Sequence, residues 1–201
     1  MDFVKLVESE KRKQRLFNIE EVRKEINSDW VKEKINNHIL AFDGLFTFEE
    51  IKTKILEDNL VASKFCKDPG KQNISENLAA KVLGIKKLPS QGKNCIRFDD
   101  SGDIVSSSSG NTKSADFYYN GYYATQKYTD GEGGAQDNQK NDVLDFLKRG
   151  SIKHKVMAIV DGAYWDKHRG DLEKAFLNNP NVIITSVSEL TESNRKEDFI
   201  E

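Results

Sequence analysis

The sequence predicts an α/β fold in which a mixed central β-sheet is flanked by helices, with a helical part at its N-terminus. Two observations predict it: an antiparallel hairpin at residues 113–127, and strand and helix patterns that alternate after it. Successive parallel strands need a crossover helix, so this order places a mixed sheet against a layer of helices. The 201 residues are expected to form one domain, helical over 1–60 and α/β over 61–201.

The first 59 residues carry apolar side chains at helical spacing, which predicts two or three helices. These positions are Leu16, Ile19, Val22 and Ile26, followed by Val31, Ile35, Ile39 and Leu40. Thr47 is a suitable cap for a further helix that carries Ile51, Ile55 and Leu56. Packing against the α/β core is the favoured role of these helices, and contact with DNA or with a second subunit are the alternatives.

The hairpin is indicated by Asn120-Gly121, which lies between two runs of aromatic and β-branched residues. Asn-Gly in this setting is the strongest short-range signal for a two-residue turn. The turn sets the register, so Tyr119 faces Tyr122 and the pairing continues outward residue by residue.

Beyond the hairpin the chain alternates between strand and helix patterns. A buried strand is expected at 155–160, a helix at 167–177 and a second strand at 181–185. Ser188-Glu189-Leu190 begins a last helical turn. These elements supply the parallel part of the sheet.

Composition describes a water-soluble globular protein, with 37% hydrophobic and 32% charged residues and a net charge of −2. No stretch is long enough to span a bilayer and no signal-like N-terminus is present, so a cytoplasmic location is expected. Cys66 and Cys95 are too few for a disulfide framework and are expected to be free or buried thiols. His38, His154 and His168 lack ligand spacing, so we expect no zinc site.

The hairpin register brings three different functional groups to one face. Asp116 lies opposite Thr125, and Lys127 follows on the same side because side chains alternate along a strand. A carboxylate, a hydroxyl and an ammonium at the open end of a hairpin can hold a divalent cation beside a phosphate. The simpler interpretation is a solvated hairpin face with a weak surface ion pair.

These residues resemble the core of the PD-(D/E)xK nucleases, the restriction-endonuclease-like superfamily. Asp116 matches the first Asp of the motif and Lys127 matches its Lys. Thr125 stands where the family usually has Asp or Glu, and Ala115 stands where Pro is common. Very-short-patch repair endonucleases are similar in carrying Thr at this position. The resemblance covers roughly residues 71–190, and its C-terminal half is similar to the nuclease domain of Type IIS restriction enzymes.

The resemblance also implies an acidic residue on a helix before the core strands. Residues 72–83 have a helical pattern that Asn73 or Ser75 can cap, and Glu76 lies in the first turn. Glu76 either supplies the carboxylate missing at Thr125 or only complements the helix dipole. In the first case Asp116 and Glu76 are the expected ligands of Mg²⁺, and the backbone carbonyl of Gln126 is the alternative to Glu76.

Polar and basic residues near the hairpin are candidates for DNA contact. Residues 61–100 contain eight basic and four acidic side chains, which favours phosphate contact or a solvated face. Asn and Gln read adenine, whereas Lys contacts guanine or phosphate. The candidates are Gln91, Lys93, Asn94, Lys113, Gln136, Asn138 and Gln139. Turn chemistry and helix capping are the ordinary roles of such residues.

The resemblance therefore implies a Mg²⁺-dependent endonuclease that hydrolyses phosphodiester bonds of double-stranded DNA, of the Type II restriction kind. Cutting both strands needs two active sites, which a homodimer or a partner subunit supplies. A catalytically silent DNA- or protein-binding member of the same fold is the alternative, with Thr125 marking the loss of the metal site. A structure-specific repair nuclease is a third interpretation.

Overall fold

The computed structural model describes residues 2–92, 94–106, 112–131 and 134–197. The chain divides into two compact units, one formed by Leu6–Ile74 and the other by Met1–Lys5 with Ser75–Glu201. The helical unit therefore ends at Ile74, beyond the expected limit at residue 60. The difference arises because a short helix and a turn after residue 58 pack with the helices that precede them.

Helices account for the N-terminal part of the chain. They are α1 (Phe3–Lys24), α2 (Asp29–Ala41), α3 (Phe48–Glu57), α4 (Asn59–Phe65) and a single 3₁₀ turn at Pro69–Lys71. Thr47 caps α3 as expected, through a capping box with Glu50. Asp58 caps α4 by accepting hydrogen bonds from the backbone N–H groups of Leu60 and Val61.

The core of the helical unit consists of the residues that the helical spacing singled out, together with α4. It contains Ile19, Val22, Ile26, Val31, Ile35, Ile51, Ile55 and Phe65. Leu16, Leu40 and Leu56 are exposed instead, because each lies at the margin of its apolar stripe. The buried Asn18 donates hydrogen bonds to the carbonyl oxygen of Lys67 and the side chain of Gln72, which ties the end of this unit to α1.

The second unit contains two sheets and four helices among the described residues. Its elements are α5 (Ile74–Leu83), β1 (Arg97–Phe98), β2 (Ile104–Val105), β3 (Lys113–Ser114), β4 (Phe117–Tyr119), β5 (Tyr122–Tyr128), α6 (Gly134–Gly150), β6 (Val156–Asp161), α7 (Ala163–Ala175), β7 (Val182–Thr185) and α8 (Val187–Glu197). The mixed α/β class expected from the sequence is confirmed. Helix α7 begins at Ala163 rather than at residue 167, directly after Gly162.

The larger sheet has the strand order β4-β5-β6-β7. The hairpin register is confirmed: Tyr119 pairs with Tyr122, and Phe117 pairs with Ala124. Strands β5, β6 and β7 are parallel, as the crossover helices require. The smaller sheet, β2-β1-β3, is antiparallel and leads through Ala115 and Asp116 into β4.

The two faces of the larger sheet have different neighbours. Val156, Ala158 and Val160 of β6 pack with side chains of α6 and α7 in one apolar cluster. Thr125 and Lys127 pair with Ala158 and Val160, so both lie on this face of the sheet. The opposite face carries Gln126, which is within reach of α5.

Cys66 and Cys95 are both free and buried, as the sequence predicted. Within the described ranges, no helix has both the length and the apolar character needed to cross a bilayer.

Candidate active site

Asp116 lies where the chain passes from the smaller sheet to the larger one. Its backbone N–H donates to the carbonyl oxygen of Ala124, and its own carbonyl oxygen accepts from the N–H of Leu88, each at 2.8 Å. Lys87 and Phe117 form an antiparallel bridge beside it. Neighbours on both sides therefore fix the backbone of Asp116.

The side chain of Asp116 is held as firmly as its backbone. Its Oδ2 atom accepts hydrogen bonds from Thr125 Oγ1 at 3.0 Å and from the backbone N–H of Gln126 at 2.9 Å. Because the chain before Asp116 pairs with β1 and no longer with β5, this carboxylate satisfies an N–H group that the ladder leaves open. Within the described chain no hydrogen bond engages Oδ1, which leaves that oxygen available to a ligand.

Thr125 is buried and serves as a hydrogen-bond donor to Asp116. A threonine hydroxyl is a weaker cation ligand than the carboxylate usual at this position in the superfamily that the sequence resembles. The structure therefore places Thr125 beside Asp116, in contact with the carboxylate, where it orients that group.

Lys127 lies two residues beyond Thr125 on the same face of β5, and its side chain is half-buried. Among the described residues, the side-chain ammonium of Lys127 makes no ion pair and no hydrogen bond. A partly desolvated ammonium without a carboxylate partner is costly unless an anion or water approaches it. Its position and charge suit contact with a phosphate.

Glu76 occupies the first turn of α5, where the sequence placed it. Its carboxylate forms a 2.5 Å ion pair with Lys87 Nζ, which also donates to Asn77 Oδ1 at 3.0 Å. No hydrogen bond or ion pair joins Glu76 to Asp116. Asn73 has a positive φ of 53°, a left-handed conformation unlike that of an ordinary N-cap.

Gln126 is 4% exposed and lies on the sheet face that α5 approaches. Its Oε1 atom accepts a 3.4 Å hydrogen bond from Ser75 Oγ, while Nε2 is buried and has no partner within the described ranges. A buried amide with one unsatisfied donor carries a desolvation cost of roughly 1–3 kcal/mol. Gln126 thus connects the Asp116 carboxylate, through its backbone N–H, to the start of α5.

No three His, Cys, Asp or Glu side chains come close enough to form a metal cage within the part of the chain that the structure describes. Among the described residues no hydrogen bond engages Asp116 Oδ1, and Glu76 is paired with Lys87. Mg²⁺ commonly keeps several waters and binds through one or two carboxylates together with substrate phosphate. The residues present fit a cation shared with a phosphate, with Asp116 as its protein ligand.

The candidates for DNA contact fall into three groups. Gln91, Asn94 and Asn138 are exposed, and Gln136 is half-buried. Lys113 is paired with Asp142 at 2.6 Å, and Gln139 accepts a 2.6 Å hydrogen bond from Thr129 Oγ1. Lys93 lies outside the described residues.

A polar network that the sequence did not reveal lies at the carboxyl end of β5. Thr129 is buried and accepts a 3.2 Å hydrogen bond from Trp165 Nε1 in addition to its bond with Gln139. Tyr164 donates to Asp137 Oδ1 at 2.9 Å, and burial together with this bond raises the pKa of Tyr164 to about 12. The network joins the start of α6 to α7.

A second polar feature lies at the carboxyl ends of β6 and β7, beside a cavity of about 220 Å³. The buried carboxylate of Asp161 accepts long hydrogen bonds of 3.3 Å from the N–H of Val187. Desolvation is the main cause that raises the pKa of Asp161 to about 7. Arg169 lines the cavity and is bound by Glu189 at 2.7 Å. The sequence pattern indicated only that a buried strand ends just before Asp161.

Gly162, which follows Asp161, is required by both conformation and space. Its φ is +106°, and a Cβ atom there would collide with the carbonyl oxygen of Thr129. We expect Gly162→Ala to lower the free energy of unfolding by roughly 3 kcal/mol, from backbone strain and overpacking. Gly170→Ala is the matched control, because Gly170 lies in α7 with open space at its Cβ position.

The measurement for this pair is urea denaturation followed by circular dichroism. Gly170→Ala should be neutral or stabilising by up to about 1 kcal/mol, since alanine favours a helix over glycine. Equal stability of Gly162→Ala and the unsubstituted protein would contradict the predicted close approach between Gly162 and Thr129.

Comparison with known proteins does not assign the chain to a family. No family model matches it, and neither the curated proteins nor the solved structures give a significant match.

Proposed function

We propose that this chain is a metal-dependent endonuclease that hydrolyses phosphodiester bonds of double-stranded DNA. The observation that supports it best is the arrangement beside β5: within the described residues no hydrogen bond engages Asp116 Oδ1, and Lys127 of β5 has no carboxylate partner. A carboxylate for a cation, just before β4, and an ammonium for a phosphate, on β5, are thus combined in one proposal. Within this proposal the fold is a restriction-endonuclease-like core, and the biological role is that of a Type II restriction endonuclease in the cytoplasm.

Each side chain has a distinct task in this proposal. Asp116 binds Mg²⁺ through Oδ1, while Thr125 and the N–H of Gln126 hold the carboxylate in orientation through Oδ2. Lys127 stabilises the negative charge that develops on the phosphate and positions the attacking water. When bound, Mg²⁺ polarises the phosphoryl oxygen and lowers the pKa of a coordinated water.

The roles of Glu76 and Gln126 as metal ligands remain part of the proposal. Glu76 would first have to leave Lys87, and the ion pair between them is partly exposed, with side-chain exposures of 21% and 32%. Separating the pair would leave a second partly desolvated ammonium, on Lys87, so the exchange requires the bound cation to compensate for the lost attraction. Because Gln126 lies on the opposite face, only its backbone carbonyl is proposed as a ligand.

Cleavage of both strands requires a second active site, so a homodimer or a partner subunit belongs to the proposal. DNA contacts are assigned to the exposed Gln91, Asn94 and Asn138 and to Gln136, with Lys93 as a further candidate. Lys113 and Gln139 remain candidates only if they exchange their present partners for DNA.

A catalytically silent DNA-binding or protein-binding protein is the second candidate. Two observations favour it: a threonine, Thr125, contacts Asp116 where the superfamily that the sequence resembles usually has an acid, and Glu76 is paired with Lys87 instead of Asp116. Such a protein would keep its affinity for a partner and show no Mg²⁺-dependent hydrolysis.

The deciding experiment incubates the purified protein with long unmethylated duplex DNA in Mg²⁺ and in EDTA, beside the variant Asp116→Asn. Asparagine keeps an oxygen acceptor for the N–H of Gln126 and removes the anionic ligand, so the variant is expected to fold. We expect discrete bands in Mg²⁺ that are absent in EDTA and absent with the variant. Uncut DNA in every lane, with DNA binding retained, would favour the silent protein.

A further inference from the structure

A groove of about 500 Å³ lies beside the hairpin, between residues 85–89 and β4. Its lining includes the exposed ring of Tyr118, the side chain of Lys86, the amide of Asn94 and the apolar side chains of Leu88 and Pro89. The groove, which Lys87 also lines, therefore combines an aromatic surface with cationic groups and one amide group. This combination differs from the purely apolar lining of a groove for a hydrophobic partner.

Tyr118 is 53% exposed, yet its ring is supported from behind. The centre of its ring lies 5.0 Å from that of Tyr123, which in turn packs against Phe98 at 5.6 Å and His154 at 5.7 Å. A ring held in this way loses little conformational freedom when another flat group stacks on its open face. Tyr118 thus presents a preorganised stacking surface to the groove.

The two lysines that line the groove differ in charge compensation. Lys87 is neutralised by Glu76 and also donates to Asn77. Lys86 is exposed and has no carboxylate partner among the described residues. The groove therefore keeps one uncompensated positive charge, which favours an anionic ligand.

The groove is also adjacent to Asp116. Asp116 directly precedes β4, two residues before Tyr118. The N–H of Leu88, a lining residue, donates to the carbonyl oxygen of Asp116. A ligand in the groove consequently lies next to the carboxylate assigned above to the cation.

We propose that this groove binds one unpaired nucleotide of the DNA strand, with its base stacked on Tyr118 and its phosphate near Lys86. The next phosphate of the strand then lies at Asp116 and Lys127. This inference rests on the proposed endonuclease function and adds one feature of its complex with duplex DNA: a nucleotide beside the bond that is cut lies outside the base stack, extruded from a paired duplex or already unpaired in a bulged one. Stacking on an aromatic ring accepts every base, so the groove selects for an unpaired base and not for its identity.

The test measures binding by fluorescence anisotropy in EDTA, where no cleavage occurs. Two labelled duplexes are compared, one fully paired and one with a single-nucleotide bulge. Tyr118→Ala should weaken binding of the bulged duplex by about 10-fold or more, the usual loss when one stacking ring is removed, and leave the paired duplex unchanged. Tyr118→Phe should retain the preference, since the ring remains.

Lys86→Gln provides an independent measurement. It should weaken binding of the bulged duplex and lower the slope of log affinity against log salt by about 1, as for a single phosphate contact. Lys24→Gln, at an exposed position at the end of α1, is the matched control and should change neither quantity.

Equal affinity of Tyr118→Ala and the unsubstituted protein for the bulged duplex overturns the groove assignment, and so does a failure to bind either duplex. Failure of the endonuclease proposal gives a different result from failure of the groove assignment. A protein that prefers the bulged duplex through Tyr118 but never cuts it in Mg²⁺ retains the groove and loses the hydrolytic function.

Discussion

Lys127→Met should lower the single-turnover rate of DNA cleavage by roughly 10³-fold, which is the upper range for removing one group that stabilises developing charge. This factor corresponds to about 4 kcal/mol of transition-state free energy. The expectation follows from the position of Lys127, which shares a face of β5 with Thr125 and has no carboxylate partner among the described residues. Methionine keeps the length and apolar character of the stem and removes only the ammonium.

The control for this substitution is Lys155→Met. Lys155 is exposed, and its ammonium lies 5.7 Å from the ring of Tyr122, at the start of β5. Lys155→Met changes the net charge of the protein as much as Lys127→Met does. It leaves the opposite end of β5, where Lys127 lies, unaltered. We expect Lys155→Met to cleave within a few-fold of the unsubstituted protein.

Thermal unfolding of both variants separates loss of chemistry from loss of fold. Lys127→Met should unfold at the same temperature as the unsubstituted protein or higher, because a partly desolvated charge has been removed. A cleavage rate within 10-fold of the original for Lys127→Met would show that the ammonium does not stabilise the transition state.

Local signals in the sequence were sufficient to predict the hairpin and the parallel strands. The Asn120-Gly121 turn determines register, so the pairing of Phe117 with Ala124 followed directly from it. The same register placed Asp116 opposite Thr125, and the hydrogen bond between their side chains agrees with this. Wherever a short turn or an unbroken apolar run determines geometry, the sequence alone was informative.

Features that depend on distant parts of the chain were not predictable in this way. The helix that carries Glu76 was expected, but the ion pair with Lys87 depends on how the chain returns after α5. The two-residue strands β1, β2 and β3 have no periodicity that a sequence pattern can reveal. The early start of α7 follows from the left-handed conformation of Gly162, a property set by its close approach to Thr129.

Asp161 is expected to make the stability of the protein decrease as the pH rises from about 4 to about 7. Below pH 3.8 this carboxyl is protonated in both the folded and the unfolded chain. Above it the unfolded chain loses the proton, whereas the folded chain keeps it until about pH 7, because burial disfavours the charged form. The contribution of Asp161 to the free energy of unfolding is therefore fully present below pH 3.8, decreases as the pH rises, and is lost once the pH has passed through about 7.

Asp161→Asn should remove this dependence. The amide oxygen still accepts from the N–H of Val187, and the side chain no longer ionises. The free energy of unfolding of the variant relative to the original should rise by roughly 3 kcal/mol between pH 5 and pH 8, out of about 4 kcal/mol for the whole shift. Comparing the two proteins at each pH cancels the contributions of other carboxylates such as Glu189, whose lowered pKa acts in the opposite direction.

Urea denaturation at pH 5, 6, 7 and 8 measures this difference, with Asp166→Asn as the matched control. Asp166 lines the same cavity but is exposed, so its substitution should give a difference that is nearly constant with pH. A constant difference for Asp161→Asn as well would mean that the Asp161 carboxyl is solvated or compensated in the folded chain. A difference that grows with pH for Asp161→Asn alone would identify burial at the end of β6 as the cause, because Asp166 lies beside the same cavity without being buried.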